Sequence, residues 1–308
     1  MTTHTLTSGK QDATAQRTRQ APTITPAAFD PAMIQRAVDN PFMAAPADVL
    51  AIQQRFGNRA VQQLVADRSI SGPIAPTHAI QRAEDTATGI AKQKAIGRYT
   101  RKVGNVFNKW KKLKPEGRAN EIGKHVNAEL KKADSYPCDI TLKDLGTTSG
   151  EFNFQTWALD LGEAALSNND PTEAEMADMA DTVYHEARHS EQWYRIARVR
   201  AGEGKTADEI ASGLFIPAKV AKKAAKNPLK PSSGMFTTKK GRERQQAKIA
   251  EGKDWEKSIY GAGATHRNEV LGDIQNRYAE YKALPEEKDA WAVGGAVTTA
   301  FKNRKKKK

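Results

Sequence analysis

From Pro171 to Ala201 the chain keeps one helical periodicity for about thirty residues, with neither glycine nor a second proline inside it. A helix that long spans about 45 Å, more than the width of a small domain, so the rest of the chain must be arranged around it. Asp170 and Pro171 read as its N-cap and first turn. Met176, Ala180, Val183, Ala187 and Tyr194 fall on one stripe, whereas His185 and His189 fall on the opposite side with Thr182 and Gln192. One side is therefore expected to meet a core and the other a cleft.

His185, Glu186 and His189 spell HExxH. Imidazoles four residues apart on a helix stand almost above one another, so both can bind one tetrahedral Zn²⁺. The intervening Glu186 sits one step round, placed to take a proton from zinc-bound water. Two histidines do not complete a catalytic zinc site, which needs a third protein ligand. The candidates are His266, Glu286, Glu287 and Asp289. The last three lie where Pro285 opens a closing helix with Ala290, Val293, Val297 and Phe301 on its apolar face.

The other patterns are mostly helical. Tyr99, Val103, Phe107 and Trp110 predict a helix over 97–112, and Ala119, Ile122, Val126 and Leu130 a second one opened by Pro115. CDITL at 138–142 and FNFQTWALDL at 152–161 read as two strands, separated by a turn containing Gly146 and Gly150. Residues 202–255 read as a helical and loop insertion, followed by a helix from about Arg267 to Lys282. Residues 1–90 form a largely disordered leader, rich in Thr, Gln, Ala and Pro near its start, with a short helix near 48–65. The fold class is thus α+β, mostly α, with a small β-sheet beside the HExxH helix in a domain spanning 91–301.

Charge adds little to this reading. The 308 residues carry a net charge of +13, but Lys302, Arg304 and Lys305 to Lys308 supply six of those charges as a solvated tail. No run of apolar residues is long enough to span a membrane, and the first twenty residues lack the apolar core of a Sec-type signal peptide. Cys138 is the single cysteine, which rules out an intrachain disulfide and Cys-based zinc sites and fits a buried thiol.

Two resemblances enter here. FGNRAVQQL, flanked by IQRA at 34–37 and 80–83, resembles the leader of cargo proteins of extracellular contractile injection systems. HEARHSEQWYR followed by YKALPEEKDAW resembles the metallopeptidase-like domain found behind such leaders and, more broadly, the gluzincin pattern of HExxH with a downstream ExxA[D/N]. The likeness spans roughly 115–200 and 256–301 and implies a zincin-like domain. It also implies a toxin or effector made in a bacterial or archaeal cytoplasm, loaded into an injection particle and delivered to a target cell, where it hydrolyses a protein or peptide.

The pattern maps the third zinc ligand onto Glu287, with Glu286 as the alternative. Trp291 stands where Asp or Asn is usual, Arg188 where the motif is normally uncharged, and Glu191 where an apolar residue is common. Asp289 is assigned a hydrogen bond to a ligand histidine, and Tyr278, Tyr281 and His266 are candidates for stabilising the oxyanion. The strand 152–161 resembles the edge strand along which zincins align substrate.

Two other readings stay open. One is a zincin-like domain without activity that serves a structural or interaction role in the particle. The other is DNA binding by the pair of helices in TADEIASGLFIPAKVAKKAAK, which has a capping box from Thr206 to Glu209, a turn around Gly213, and Lys219, Lys222, Lys223 and Lys226 for phosphate. Nothing there specifies base-edge contacts, so a surface connector fits it better and nucleic acid is not the expected partner.

Overall fold

The computed structural model describes residues 87–304 apart from 147, 232–237 and 275. FGNRAVQQL, both IQRA copies, the helix near 48–65 and Lys305 to Lys308 lie outside the described residues. Ile96, Tyr99, Val103 and Phe107 bury one face of α1 (Gln93–Phe107). The helix stops short of Trp110, which sits instead in a 3-10 turn and stacks under the buried Arg118 guanidinium. Pro115 occupies the first turn of α2 (Pro115–Lys132), where its missing N–H costs nothing, and Ala119, Ile122, Val126 and Leu130 are buried as the spacing predicts.

The sheet has three strands, β1 (Asp139–Lys143), β2 (Gly150–Asn153) and β3 (Ala158–Gly162), in the order β1-β3-β2. β1 runs parallel to β3 and β2 antiparallel. The run 152–161, expected as one strand, is therefore a hairpin. Asn153 Oδ1 accepts from the backbone N–H groups of Gln155 and Thr156, giving the chain a local alternative to extension. Trp157 then takes a left-handed φ of 61°, a backbone cost offset by burying its ring edge-on against Phe152 and Tyr136. β3 is the central strand and is buried throughout; the edge strand beside the long helix is β2.

After the short α3 (Glu163–Ser167), the long helix α4 runs Glu173–Gly202. It starts later than Asp170 and Pro171 suggest. Thr172 and Glu175 form a reciprocal capping box that satisfies two orphan N–H groups at once, which Asp170 alone cannot match. Every residue from Val183 to Ala197 is buried, so the expected division into a core side and a cleft side fails over this stretch. α4 is the axis of the fold, and among the described residues elements from before and after it in sequence close around it.

α5 (Ala207–Leu214) opens with the expected capping box of Thr206 and Glu209, continues through Gly213 and turns at Phe215. α6 (Ala218–Lys226) lays Val220, Ala221 and Ala224 against the core and leaves Lys222 and Lys223 exposed. α7 (Lys239–Ile259) packs along α4 and buries Trp255. The helix expected over Arg267–Lys282 is two, α8 (Ala264–Gly272) and α9 (Tyr278–Ala283), because Asp273 accepts from Asn276 and Arg277 in an intervening turn. Pro285 starts α10 (Pro285–Asn303) as predicted. The protein is mostly helical with a small sheet, and among the described residues no helix is long and apolar enough to cross a membrane. Cys138 is a buried free thiol whose pKa burial pushes up to about 12.

The contact between α10 and α4 carries a testable pH dependence. Asp181 on α4 lies against Gly294 and accepts from Thr298 Oγ1, yet burial lifts its pKa to about 6 from an ordinary 3.8, with Asp178 adding repulsion. Folding takes up a proton there between those values. The associated stability is fully present below pH 4 and is lost, by up to about 3 kcal/mol, as the pH rises from 4 through 6. Urea unfolding of Asp181→Asn is expected to show a weaker fall in stability from pH 5 to 8 than the parent; parallel profiles would show that Asp181 ionises without penalty.

Candidate metal centre

A thirty-residue helix and the first turn of another are all that the centre requires. α4 places His185 and His189 one turn apart, with Nε2 atoms 3.1 Å from each other. α10 crosses α4 so that Glu287, in its first turn, puts Oε2 3.5 Å from His189 Nε2 and 3.9 Å from His185 Nε2. Around a zinc ion with bonds of 2.0–2.1 Å, a regular tetrahedron has edges of about 3.3–3.4 Å, and the three separations bracket that length. The three side chains form a buried group able to hold a metal ion.

The hydrogen bonds orient the donors. Gln192, one turn beyond His189, donates through Nε2 to the Glu286 carbonyl and to Asp289, each at 2.8 Å. Its Oε1 must then face His189 Nδ1, 2.8 Å away, and accept the Nδ1 proton. With Nδ1 committed to Gln192, Nε2 is the ring nitrogen that faces Glu287 and His185. His185 is hydrogen-bonded to the backbone of Ala290, and the Tyr281 hydroxyl bonds the Glu287 carboxylate. Glu287 Oε2 itself is buried with no hydrogen-bond partner.

The electrostatics ask for a cation between these groups. Burial, and then the neighbouring His189, push His185 down to about 3, so its ring stays neutral. Burial opposes charge on His189 and Glu287 as well, but their mutual attraction outweighs it, raising His189 to about 9 and lowering Glu287 to about 2. A buried carboxylate oxygen within 3.9 Å of two imidazole nitrogens is a donor set suited to a divalent ion in place of a shared proton.

Glu186 points to the sheet side of α4, where Oε2 accepts the backbone N–H of Phe152 on β2 at 2.9 Å. Burial lifts its pKa to about 7, against the pull of His189. At that value the group both takes and returns a proton near neutrality.

The structure brings together His185, Glu186, His189 and Glu287, sets Tyr281 against Glu287, and separates the other residues of the expected site. Glu286 is turned from the ligand group and pairs with Arg267 at 2.7 Å, because residues adjacent on a helix face different directions. Asp289 does not reach a ligand histidine. It accepts from Gln192, which stands between, and from Arg188. His266 is exposed on α8, and Tyr278 is half-buried. Tyr281 is spent on Glu287, which makes it a support for the ligand rather than a demonstrated oxyanion donor.

What the sequence reading missed is a buried charge network on the side of α4 facing α7. Arg188 is 1% exposed, forks onto Asp289 and donates to Glu191 at 2.6 Å. Glu191 also accepts from Arg195 at 2.6 Å, and Arg195 reaches Glu251 of α7. Trp255 lies under both guanidiniums, 5.2 and 5.0 Å from its ring centre. Spacings of three and four residues between opposite charges on one helix were the available signal. Protein-family models, curated proteins and solved structures were compared with the chain, and none matches.

Proposed function

We propose that the chain is a zinc-dependent peptidase in which His185, His189 and Glu287 hold the metal and Glu186 moves the proton. The supporting observation is the buried Glu287 Oε2 facing two imidazole nitrogens at near-tetrahedral separations. Zinc bound there supplies a Lewis acid that polarises a carbonyl and makes water nucleophilic near neutral pH. The rest is the work of this chain's own groups. Gln192 fixes the His189 tautomer, Tyr281 steadies Glu287, and the surrounding core excludes bulk water. Glu186 accepts the proton of the attacking water and returns it to the leaving amine.

In this reading the domain is zincin-like, its substrate is a protein or peptide, and the residues ahead of Thr88 act as the loading leader of an injection-particle cargo; Thr88–Ile90, expected within a leader over 1–90, pack into the domain instead. Support for the leader comes from FGNRAVQQL and the IQRA copies alone.

A second reading has an observation in its favour. His185, Glu186 and His189 are 6%, 4% and 7% exposed, which suits a structural metal centre in an interaction protein unless the domain opens for substrate. Metal analysis of the purified full-length chain tests the premise common to both. One zinc per chain is expected, with loss of stoichiometric zinc in His189→Ala. A metal-free parent, or a variant that keeps its zinc, overturns the assignment.

A further inference from the structure

We infer that the segment Thr88–Ile90, where the described chain begins its fold, is a positioning element of the metal centre, acting through Glu191, Arg188 and Asp289 on Gln192 and so on His189. This rests on the metal-centre reading above and extends it to a part of the chain that supplies no ligand.

The contacts run without a gap. The backbone N–H of Ile90 donates to Glu191 Oε2 at 3.0 Å, and the same oxygen accepts from Arg188 at 2.6 Å. Arg188 also donates to the Thr88 carbonyl at 3.2 Å, so its guanidinium is gripped from the segment as well as from α4. Its other two nitrogens fork onto Asp289 at 2.7 and 3.1 Å. Asp289 then holds Gln192, whose Oε1 orients His189. The segment is anchored independently, by Tyr184 Oη donating to the Ile90 carbonyl at 2.9 Å and by the Thr88 hydroxyl between Arg195 and Glu251.

The close approach depends on Gly89. It has a φ of 59°, and a Cβ there would stand 1.5 Å from Glu191 Oε1. That oxygen is held by Arg195, so the clash cannot be relieved without disturbing the pairs that hold Arg188. A bidentate arginine is sensitive to such a shift because its fork fits a carboxylate in one plane only. Ile90 is meanwhile fully buried, and the 3-10 turn Gly89–Ala91 packs on α1, α2 and α4. The residues just before the first helix are thus tied to the centre by polar contacts and to the core by an apolar plug.

The test compares zinc dissociation constants of full-length parent, Gly89→Ala and Glu191→Gln, by competition with a chromophoric chelator. Leu166→Ala serves as the destabilised control. Its side chain is buried on α3, which packs against α2 and β3. Gly89→Ala is expected to weaken zinc binding about 10–100-fold, the range typical of groups that orient a ligand from behind. Glu191→Gln is expected to shift it in the same direction, and Leu166→Ala to leave it unchanged. A cooperatively folded Gly89→Ala protein with parental affinity overturns the inference, as does equal weakening in Leu166→Ala. If Gly89→Ala does not fold, parental affinity in Glu191→Gln overturns it instead. A parent that binds no zinc overturns the metal-centre reading itself, which separates that failure from this one.

Discussion

On the peptidase reading, Glu186→Gln is expected to lower peptide hydrolysis about 10²–10⁴-fold while leaving zinc content and the unfolding midpoint close to those of the parent. The side chain sits off the ligand group, so the metal loses no donor. Its structural contact is also preserved, because the amide oxygen of Gln can accept the Phe152 N–H as Oε2 does. What disappears is a group whose burial lifts its pKa to about 7, the one the peptidase reading charges with moving the proton. The assay is cleavage of a peptide library by zinc-loaded parent and variant. Equal activity in the two removes Glu186 from the mechanism. A zinc-loaded parent that cleaves nothing favours the structural reading, to which the burial of the two histidines already points.

The parts of the site legible in sequence are those fixed by helical geometry within one segment. His185, Glu186 and His189 needed only a turn of 3.6 residues to be read as a cluster. Glu287 needed a crossing of two helices that brings together side chains nearly a hundred residues apart in sequence, which no periodicity reports. A resemblance pointed to it, and the contact of α10 with α4 places it at the centre.

Arg188 and Glu191 stand at a spacing that allows pairing, but their burial was not legible, because it depends on what arrives from elsewhere: Asp289 from α10 and the Ile90 N–H from before α1, with Glu251 of α7 on the neighbouring Arg195. The helical wheel failed at the middle of α4 for the same reason. A stripe describes a helix with one wet side, and this helix is enclosed over Val183–Ala197. The hairpin at Asn153–Trp157 was hidden by an apparent alternation that continues straight through the turn residues.

Arg188→Met is expected to destabilise the fold by about 3–5 kcal/mol, the range for removing one partner from a buried ion pair. The methionine fills much of the volume and keeps the contact with Trp255 apolar, so packing loss is not the main effect. The cost comes from the carboxylates left behind. Asp289 loses both prongs of its fork and keeps Gln192, while Glu191 keeps Arg195 and the Ile90 N–H. Burial disfavours both anions, and the Arg188 charge is first among the influences holding each below its ordinary pKa. Urea unfolding of Arg188→Met, Glu191→Met and the double variant separates this from simple truncation. The double variant is expected to cost less than the sum of the two by about 1–3 kcal/mol, since removing Glu191 also removes one of the two carboxylates that Arg188 pairs with. Additive costs would mean that the two side chains do not stabilise each other, and the buried network would then be a set of independent contacts rather than a unit.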